Sequence, residues 1–156
     1  VDNVVISINY FMARKAPCAV VDDDEMILDY VASVLSETNQ LDVVTFSSSS
    51  DAVKHLRHNR THILITDLVM PTIDGIDLLD RAKEIDPLTQ VIMISAYSTV
   101  GRIVVSLQHG ASDFVMKPLT APDGLLAAVG QTIDRWTRWF DVLKRTAVLP
   151  EEEGGN

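Results

Sequence analysis

Five short apolar runs, rich in valine and isoleucine, limit most strongly what this chain can fold into. Each run is continuously apolar rather than alternating, which is typical of strands buried on both faces. Segments in which apolar residues recur every three or four positions separate the runs, and this spacing indicates helices. The predicted strands cover residues 17–21, 42–46, 63–66, 91–95 and 114–116.

Five helices are predicted to alternate with these strands. The second, over residues 49–59, has the weakest pattern and is expected to be capped by Ser48 or Ser49. The third is expected to end before Pro87 and the fourth at Gly110. The apolar faces of the first, third and fourth helices comprise Ile27, Val31, Val34, Leu35, Ile76, Leu79, Ala82, Ile85, Val100, Ile103, Val104 and Leu107. The alternation predicts an α/β fold, a doubly wound five-stranded parallel sheet with helices on both faces.

Size and charge exclude several classes of protein. The chain has 156 residues, 47% of them hydrophobic, which suits one domain with a core and argues against a disordered chain. Its net charge of −9 argues against direct nucleic acid binding. No apolar run has the length of a membrane span. The single cysteine, Cys18, cannot form an internal disulfide, which fits a cytoplasmic protein.

Polar side chains follow four of the predicted strands. Asp22 and Asp23 follow the first, Asp67 the third, Ser95 ends the fourth and Lys117 follows the fifth. Because functional groups of parallel sheets gather where the strands end, we expect these side chains to converge. Grouped carboxylates suit a hard cation such as Mg²⁺, and a lysine and a hydroxyl suit an anionic oxygen. The set predicts a phosphoryl-accepting aspartate, with Asp67 as the best nucleophile.

The quoted segments resemble those of a known family. The segments "VVDDDE", "DLVMPTIDG", "SAY" and "KP" fall in order after successive strands. In this arrangement residues 16–137 closely resemble the receiver domain of bacterial two-component response regulators, of the chemotaxis-regulator type. The resemblance implies a flavodoxin-like sheet of order 2-1-3-4-5. It also implies a partner, either a histidine kinase or a histidine phosphotransfer protein, and no turnover of an external metabolite.

The resemblance also implies a role for each matching residue. Asp22, Asp23, Asp67 and the backbone carbonyl of Val69 would hold Mg²⁺ or Mn²⁺, and Asp67 would be phosphorylated. Ser95 and Lys117 would contact the phosphoryl oxygens, and the Lys117–Pro118 bond would be cis. Phe114 stands where the family often has tyrosine as its switch aromatic, and Tyr97 stands where the family tunes access of the hydrolytic water. The residues that match the phosphoacceptor loop and the hydroxyl switch are Pro71, Gly75 and Ala96.

Two other functions remain open at this stage. A haloacid-dehalogenase-like phosphatase also uses an aspartate nucleophile and Mg²⁺, but it would want a carboxylate at position 69, which is valine. A degenerate receiver would act as an interaction scaffold without phosphate, although its usual signature is the loss of a site residue. Acquisition of a phosphoryl group separates these alternatives.

The two ends of the chain are expected to lie outside the domain. Residues 1–15 are interpreted as an N-terminal extension, and 1–11 as vector-derived residues, a misassigned start before Met12 or an extra strand. The last helix is predicted from residue 122 to about 145. Residues 138–156 are interpreted as a helix extension and a disordered acidic tail, which could link to a missing output domain.

Aromatic residues in the last helix suggest a further surface. Trp136, Trp139 and Phe140 lie where the helix would leave the domain. They either pack back on the domain or form an exposed stripe, and the stripe is favoured because exposed aromatic patches usually mark interfaces. A homodimer is expected through this helix or through the face of the fourth helix, fifth strand and fifth helix.

Charged residues near two helices have simpler interpretations. Asp24 and Glu25 are expected in the first turn of the first helix, where the helix dipole favours carboxylates. His55, His58 and His62 are expected on a solvated face of the second helix rather than in a metal site.

Overall fold

The computed structural model describes residues 15–96 and 99–147. The strands are β1 (Ala16–Val21), β2 (Leu41–Phe46), β3 (Ile63–Asp67), β4 (Gln90–Ser95) and β5 (Asp113–Met116). The helices are α1 (Glu25–Glu37), α2 (Ser49–His58), α3 (Gly75–Ile85), α4 (Val100–Gln108) and α5 (Asp123–Ala147). All ten predicted elements are present, and wherever an end was predicted the observed end lies within two residues of it.

The five strands form one parallel sheet in the order β2-β1-β3-β4-β5. This order confirms the doubly wound, flavodoxin-like α/β fold. In the centre of the sheet, Ile65 of β3 pairs with Val20 of β1 and with Ile92 of β4. The strands all end at one edge, named here the carboxyl edge, and all begin at the opposite amino edge. Among the described residues, no helix is both long and apolar enough to cross a membrane.

Side chains alternate along the strands between two hydrophobic cores. Cys18 and Val20 face a core completed by α1 and α5, whereas Ala19 and Val21 face a core completed by α2 and α3. Fully burying one such aliphatic side chain stabilises a fold by roughly 1.5–3 kcal/mol. Burial on both faces explains why the sequences of the central strands β1, β3 and β4 are mostly apolar, whereas the edge strand β2 is largely exposed.

Local hydrogen bonds fix where the helices begin. Asp24 caps α1 by accepting a hydrogen bond from the backbone N–H of Met26, and Glu25 lies in the first turn. Asp24 therefore precedes the first turn in which it was expected, although its carboxylate serves the same helix end. Ser48, and not Ser49, caps α2.

The favoured interpretation of the last helix as an exposed aromatic stripe is wrong for two of its three aromatic residues. Trp136 and Phe140 are 6% and 5% exposed, and only Trp139 projects into solvent, with 64% of its surface exposed. The α2–β3 and α3–β4 loops at the amino edge provide surface that covers the Trp136 ring, and Phe140 packs against that ring. This surface could not be anticipated from the helical spacing of α5 alone.

The histidine interpretation needs one correction. His55 and His58 lie on α2, but His62 follows the helix and is 2% exposed. Its backbone N–H donates to the carbonyl of Pro17, which draws the residue into the domain immediately before β3. The expectations for residues 1–14 and for the tail beyond Ala147 fall outside the described residues.

Candidate functional site

Four of the side chains singled out in the sequence lie together at the carboxyl edge. Asp22 follows β1, Asp67 ends β3 and Lys117 follows β5. The Nζ of Lys117 donates a hydrogen bond to Oδ2 of Asp22 at 2.7 Å and lies 3.6 Å from Oδ2 of Asp67. Asp23 is the fourth residue, and one oxygen from each of the three carboxylates lies within 4.8 Å of the others.

Asp22 is the most firmly held of the three carboxylates. Its side chain is almost fully buried, and Oδ1 accepts a hydrogen bond from the backbone N–H of Asp24 at 2.9 Å. Oδ2 accepts from Lys117, so both oxygens have a donor. Asp23 is exposed beside it. One fixed and one solvated carboxylate therefore stand next to Asp67.

The surroundings of Asp67 disfavour the negatively charged form of its carboxyl group. Burial raises the pKa of its carboxyl above the ordinary value, and the charge of Asp22 acts in the same direction. Lys117 and the backbone N–H groups of Leu68 and Val69 oppose that rise, the Leu68 N–H at 2.8 Å from Oδ1. Two carboxylates this close repel by roughly 3 kcal/mol at a partly shielded site. Additional positive charge would therefore be bound favourably.

Lys117 remains a cation in this site. Burial alone would lower the pKa of its ammonium group, but the hydrogen bond and charge of Asp22, together with Asp67, raise it above the ordinary value. The Lys117 backbone N–H donates to the carbonyl of Ser95 at 2.9 Å. The Lys117–Pro118 peptide bond is cis, which confirms the prediction from the "KP" pair.

The loop after β3 approaches Asp67 closely at Gly75. The N–H of Gly75 donates to the carbonyl of Leu68 at 2.9 Å. A Cβ atom at position 75 would overlap the carbonyl oxygen of Asp67 and lie 2.8 Å from the Cα of Leu68. Glycine is therefore needed here because any side chain would push against the backbone of Asp67.

Three further predicted residues lie on β4, on β5 and in the loop after β3, and a fourth falls outside the described residues. Ser95 is buried at the end of β4, and Phe114 of β5 is half-buried against the core under α2 and α3. Val69 is 45% exposed next to Asp67. Tyr97 falls outside the described residues. Sequence reasoning missed the backbone donors, since no residue type signals an N–H group that points at a carboxylate.

The donor set at the carboxyl edge fits a divalent metal ion. Carboxylate oxygens are the ligands that Mg²⁺ and Mn²⁺ favour, and Mg²⁺ keeps several waters, which the exposed side of Asp23 leaves room for. Among residues 15–96 and 99–147, this is the only cluster of three or more histidine, cysteine or acidic side chains with such spacing. The two α2 histidines do not take part in a comparable group.

Comparisons with known proteins agree with this geometry. Residues 18–130 match the family model of the response regulator receiver domain. The chain is 29% identical over 115 residues to chemotaxis protein CheY of Bacillus subtilis, an alignment that covers 74% of this chain and 95% of CheY. It is 32% identical over 123 residues to the DNA-binding transcriptional regulator NtrC of Proteus hauseri, covering 79% of this chain but only 26% of NtrC.

A solved structure shows the same architecture. The CheY-like receiver domain protein of Methanospirillum hungatei JF-1 superposes with a TM-score of 0.74 at 26% identity, covering 80% of this chain and 98% of that protein. The sheet order, the convergent carboxyl edge and the matched residues lead to one conclusion: the chain belongs to the response regulator receiver domain family of two-component signal transduction.

Proposed function

We propose that this domain accepts a phosphoryl group on Asp67 and relays a signal by the resulting change in charge. The observation that carries the proposal is the placement of Lys117, whose ammonium group is in reach of both Asp22 and Asp67. Phosphoryl transfer depends mainly on positioning and charge neutralisation, and this arrangement supplies both. Receiver domains act as signal transducers, and we propose that this one catalyses only its own phosphorylation and dephosphorylation.

Asp22, Asp23, Asp67 and the backbone carbonyl of Val69 would hold Mg²⁺ or Mn²⁺. When bound, the cation supplies the positive charge that offsets the carboxylate repulsion and the charge of an incoming phosphoryl group. The hydrogen bond from the Asp24 N–H keeps Asp22 aimed at the site. The exposure of Asp23 suits a contact that is made partly through water.

In the proposed transfer, a carboxylate oxygen of Asp67 attacks the phosphorus of a phosphohistidine. The new O–P bond forms as the P–N bond breaks, and the electron pair of that bond returns to the imidazole nitrogen of the donor. The partner would be a histidine kinase or a histidine phosphotransfer protein. Lys117 and Ser95 would then bind phosphoryl oxygens of the acyl phosphate, whose charge of about −2 replaces the single negative charge of the Asp67 carboxylate.

The added charge would switch a neighbouring surface. Movement of Ser95 and Lys117 toward the phosphoryl group would let Phe114 become more buried, while Tyr97 would control the approach of hydrolytic water. The face formed by α4, β5 and α5 would repack as a result. An apolar surface that exposes Val100, Val104, Val105, Leu107 and Met116 supports this face as a docking or dimer surface.

The domain boundaries and context belong to the same proposal. Residues 16–137 would form the receiver, residues 1–15 an extension, and 138–156 a helical connection and tail toward an output domain. The chain matches about a quarter of the NtrC relative, so that relative has further sequence outside its matched receiver region. We propose a cytoplasmic protein without direct nucleic acid contact from this domain, and a homodimer through the α4–β5–α5 face or the last helix.

The first test is the mass of the intact protein after incubation with acetyl phosphate and Mg²⁺. One added phosphoryl group is expected in the wild type and none in Asp67→Asn or in the presence of EDTA. If no mass is added, binding of beryllofluoride separates rapid hydrolysis from a site that does not function. Absence of both responses would overturn the phosphorylation proposal and favour a phosphate-independent scaffold. Steady release of phosphate from a generic phosphomonoester would favour a phosphatase instead.

A further inference from the structure

The second half of α5 makes contacts at the amino edge, at the opposite end of the sheet from Asp67. The helix begins at Asp123, after β5 has ended at the carboxyl edge, and continues for 25 residues. At 1.5 Å per residue its length is about 37 Å. It therefore reaches from the edge that carries the carboxylates to the amino edge.

Trp136 is held at the amino edge by two different loops. Its indole Nε1–H donates a hydrogen bond to the backbone carbonyl of Leu88 at 3.0 Å, in the loop before β4. Its ring stacks on the imidazole of His62, before β3, with centroids 4.4 Å apart and planes inclined by 28°. A donor and a stacking face fix both the position and the tilt of the ring.

Phe140 and Leu143 continue this contact along the same face of α5. The Phe140 ring is 5% exposed, and its centroid lies 3.6 Å from that of Trp136. Leu143 packs against the two rings as a half-buried member of the cluster. The spacing of four and then three residues keeps all three side chains on one side of the helix. The cluster is separate from the two cores that flank the sheet.

We infer that Trp136 and Phe140, together with His62 and Leu88, form a clamp that fixes the direction in which α5 leaves the domain. Contacts between buried aromatic rings stabilise an arrangement more than exposed side-chain pairs on a helix do. The helix beyond Trp136 is then a rigid arm, not a flexible connection. Trp139 and Val142 lie on the solvent-exposed side of this arm, with 64% and 53% of their surfaces exposed. The clamp fixes their orientation relative to the carboxyl edge.

The clamp is independent of phosphorylation, so it can be tested on the unmodified protein. Spin labels at Thr45→Cys on β2 and Arg145→Cys near the helix end would report the distance distribution between domain and arm. A second pair, Thr45→Cys with Gln131→Cys, reports the first half of α5. Cys18 is buried, which raises the pKa of its thiol to about 12, so it should remain unlabelled.

A narrow distribution is expected for the 45–145 pair in the otherwise unchanged protein. Trp136→Leu should widen it by about twofold or more, and His62→Ala should widen it as well. Trp139→Leu is the matched control, because it removes an indole one turn away that does not lie in the cluster core, and it should leave the width unchanged. The 45–131 pair should stay narrow in every variant.

Two results would overturn the clamp. One is a broad 45–145 distribution in the protein with an intact clamp, and the other is equal widths in Trp136→Leu and Trp139→Leu. If Trp136→Leu fails to fold, Trp136→Phe retains a ring while losing the donor to Leu88, and hydrogen exchange of residues 141–147 gives the second readout. Faster exchange in Trp136→Phe and His62→Ala is expected, and unchanged exchange in both would contradict the inference.

Discussion

At the scale of single residues, the site depends on atoms that lie close to Asp67. Lys117 offsets two carboxylates at once, and the N–H of Leu68 holds one oxygen of the phosphoacceptor candidate. Gly75 makes room for the backbone that carries Asp67. Each of these positions therefore requires its residue type either for the charge or for the small size of the side chain. A substitution should show which of the two requirements applies.

Gly75→Ala is expected to destabilise the fold by about 2–3 kcal/mol, because the new methyl group would press on the backbone of Asp67 and Leu68. Gly130→Ala is the matched control: it sits inside α5, and apart from the adjoining backbone of that helix no atom lies within 4 Å of the added Cβ. Alanine there should raise stability by about 0.5–1 kcal/mol. Chemical denaturation of the two variants measures both effects, and equal stability of the two would contradict the packing argument.

At the scale of elements, the position of α5 depends on loops that are distant in sequence. Its first half buries Leu125 and Val129 under the sheet, whereas its second half is held by aromatic contacts at the amino edge. His62 belongs to that second group, and burial next to the charge of Arg60 lowers its pKa to about 4, although Asp86 acts in the opposite direction. The clamp therefore favours a neutral imidazole.

Stability should consequently fall as the pH drops from about 6.5 to about 4. Over this range the unfolded chain binds a proton at position 62 that the folded state does not, so the loss from this group is at most about 3 kcal/mol. Thermal unfolding at pH 7 and pH 4.5 measures the change. His62→Phe should lose less stability on acidification than the wild type, whereas His58→Gln, on the exposed end of α2, should behave as the wild type does.

At the scale of the whole molecule, the helices are unequally attached to the sheet. Among the nine residues of α4 only Ser106 is buried, and the helix is followed by its C-cap His109, whose Nδ1 lies 2.6 Å from Oδ1 of Asp80 in α3. By contrast, α1 buries Leu28, Val31 and Leu35 in the core. A lightly packed helix next to the site is the element most easily shifted by a new charge.

Hydrogen exchange should therefore be faster in α4 than in α1. Addition of beryllofluoride and Mg²⁺ is expected to change exchange in α4 and β5 by severalfold while leaving α2 nearly unchanged. The same additions to Asp67→Asn provide the control. An equal response in α2 and α4, or a response that persists in Asp67→Asn, would count against a switch confined to the α4–β5–α5 face.

The sequence by itself determined the fold class, the ten elements and the residues that follow each strand. Continuous apolar runs and helical spacing are local patterns, and in a parallel sheet the residues after the strands must meet at one edge. The convergence of Asp22, Asp67 and Lys117 could be predicted for that reason. The cap at Ser48 or Ser49 could likewise be predicted from the sequence, because a helix cap is a local hydrogen bond.

Only the tertiary structure decided which polar or aromatic groups lie against loops far away in the chain. His62 and Trp136 have 73 residues between them, and no local spacing indicates that their rings stack. The N–H donors to Asp22 and Asp67 depend on backbone direction, which residue type does not encode. Burial of such groups follows from how separate elements pack together, and that is a property of the whole fold.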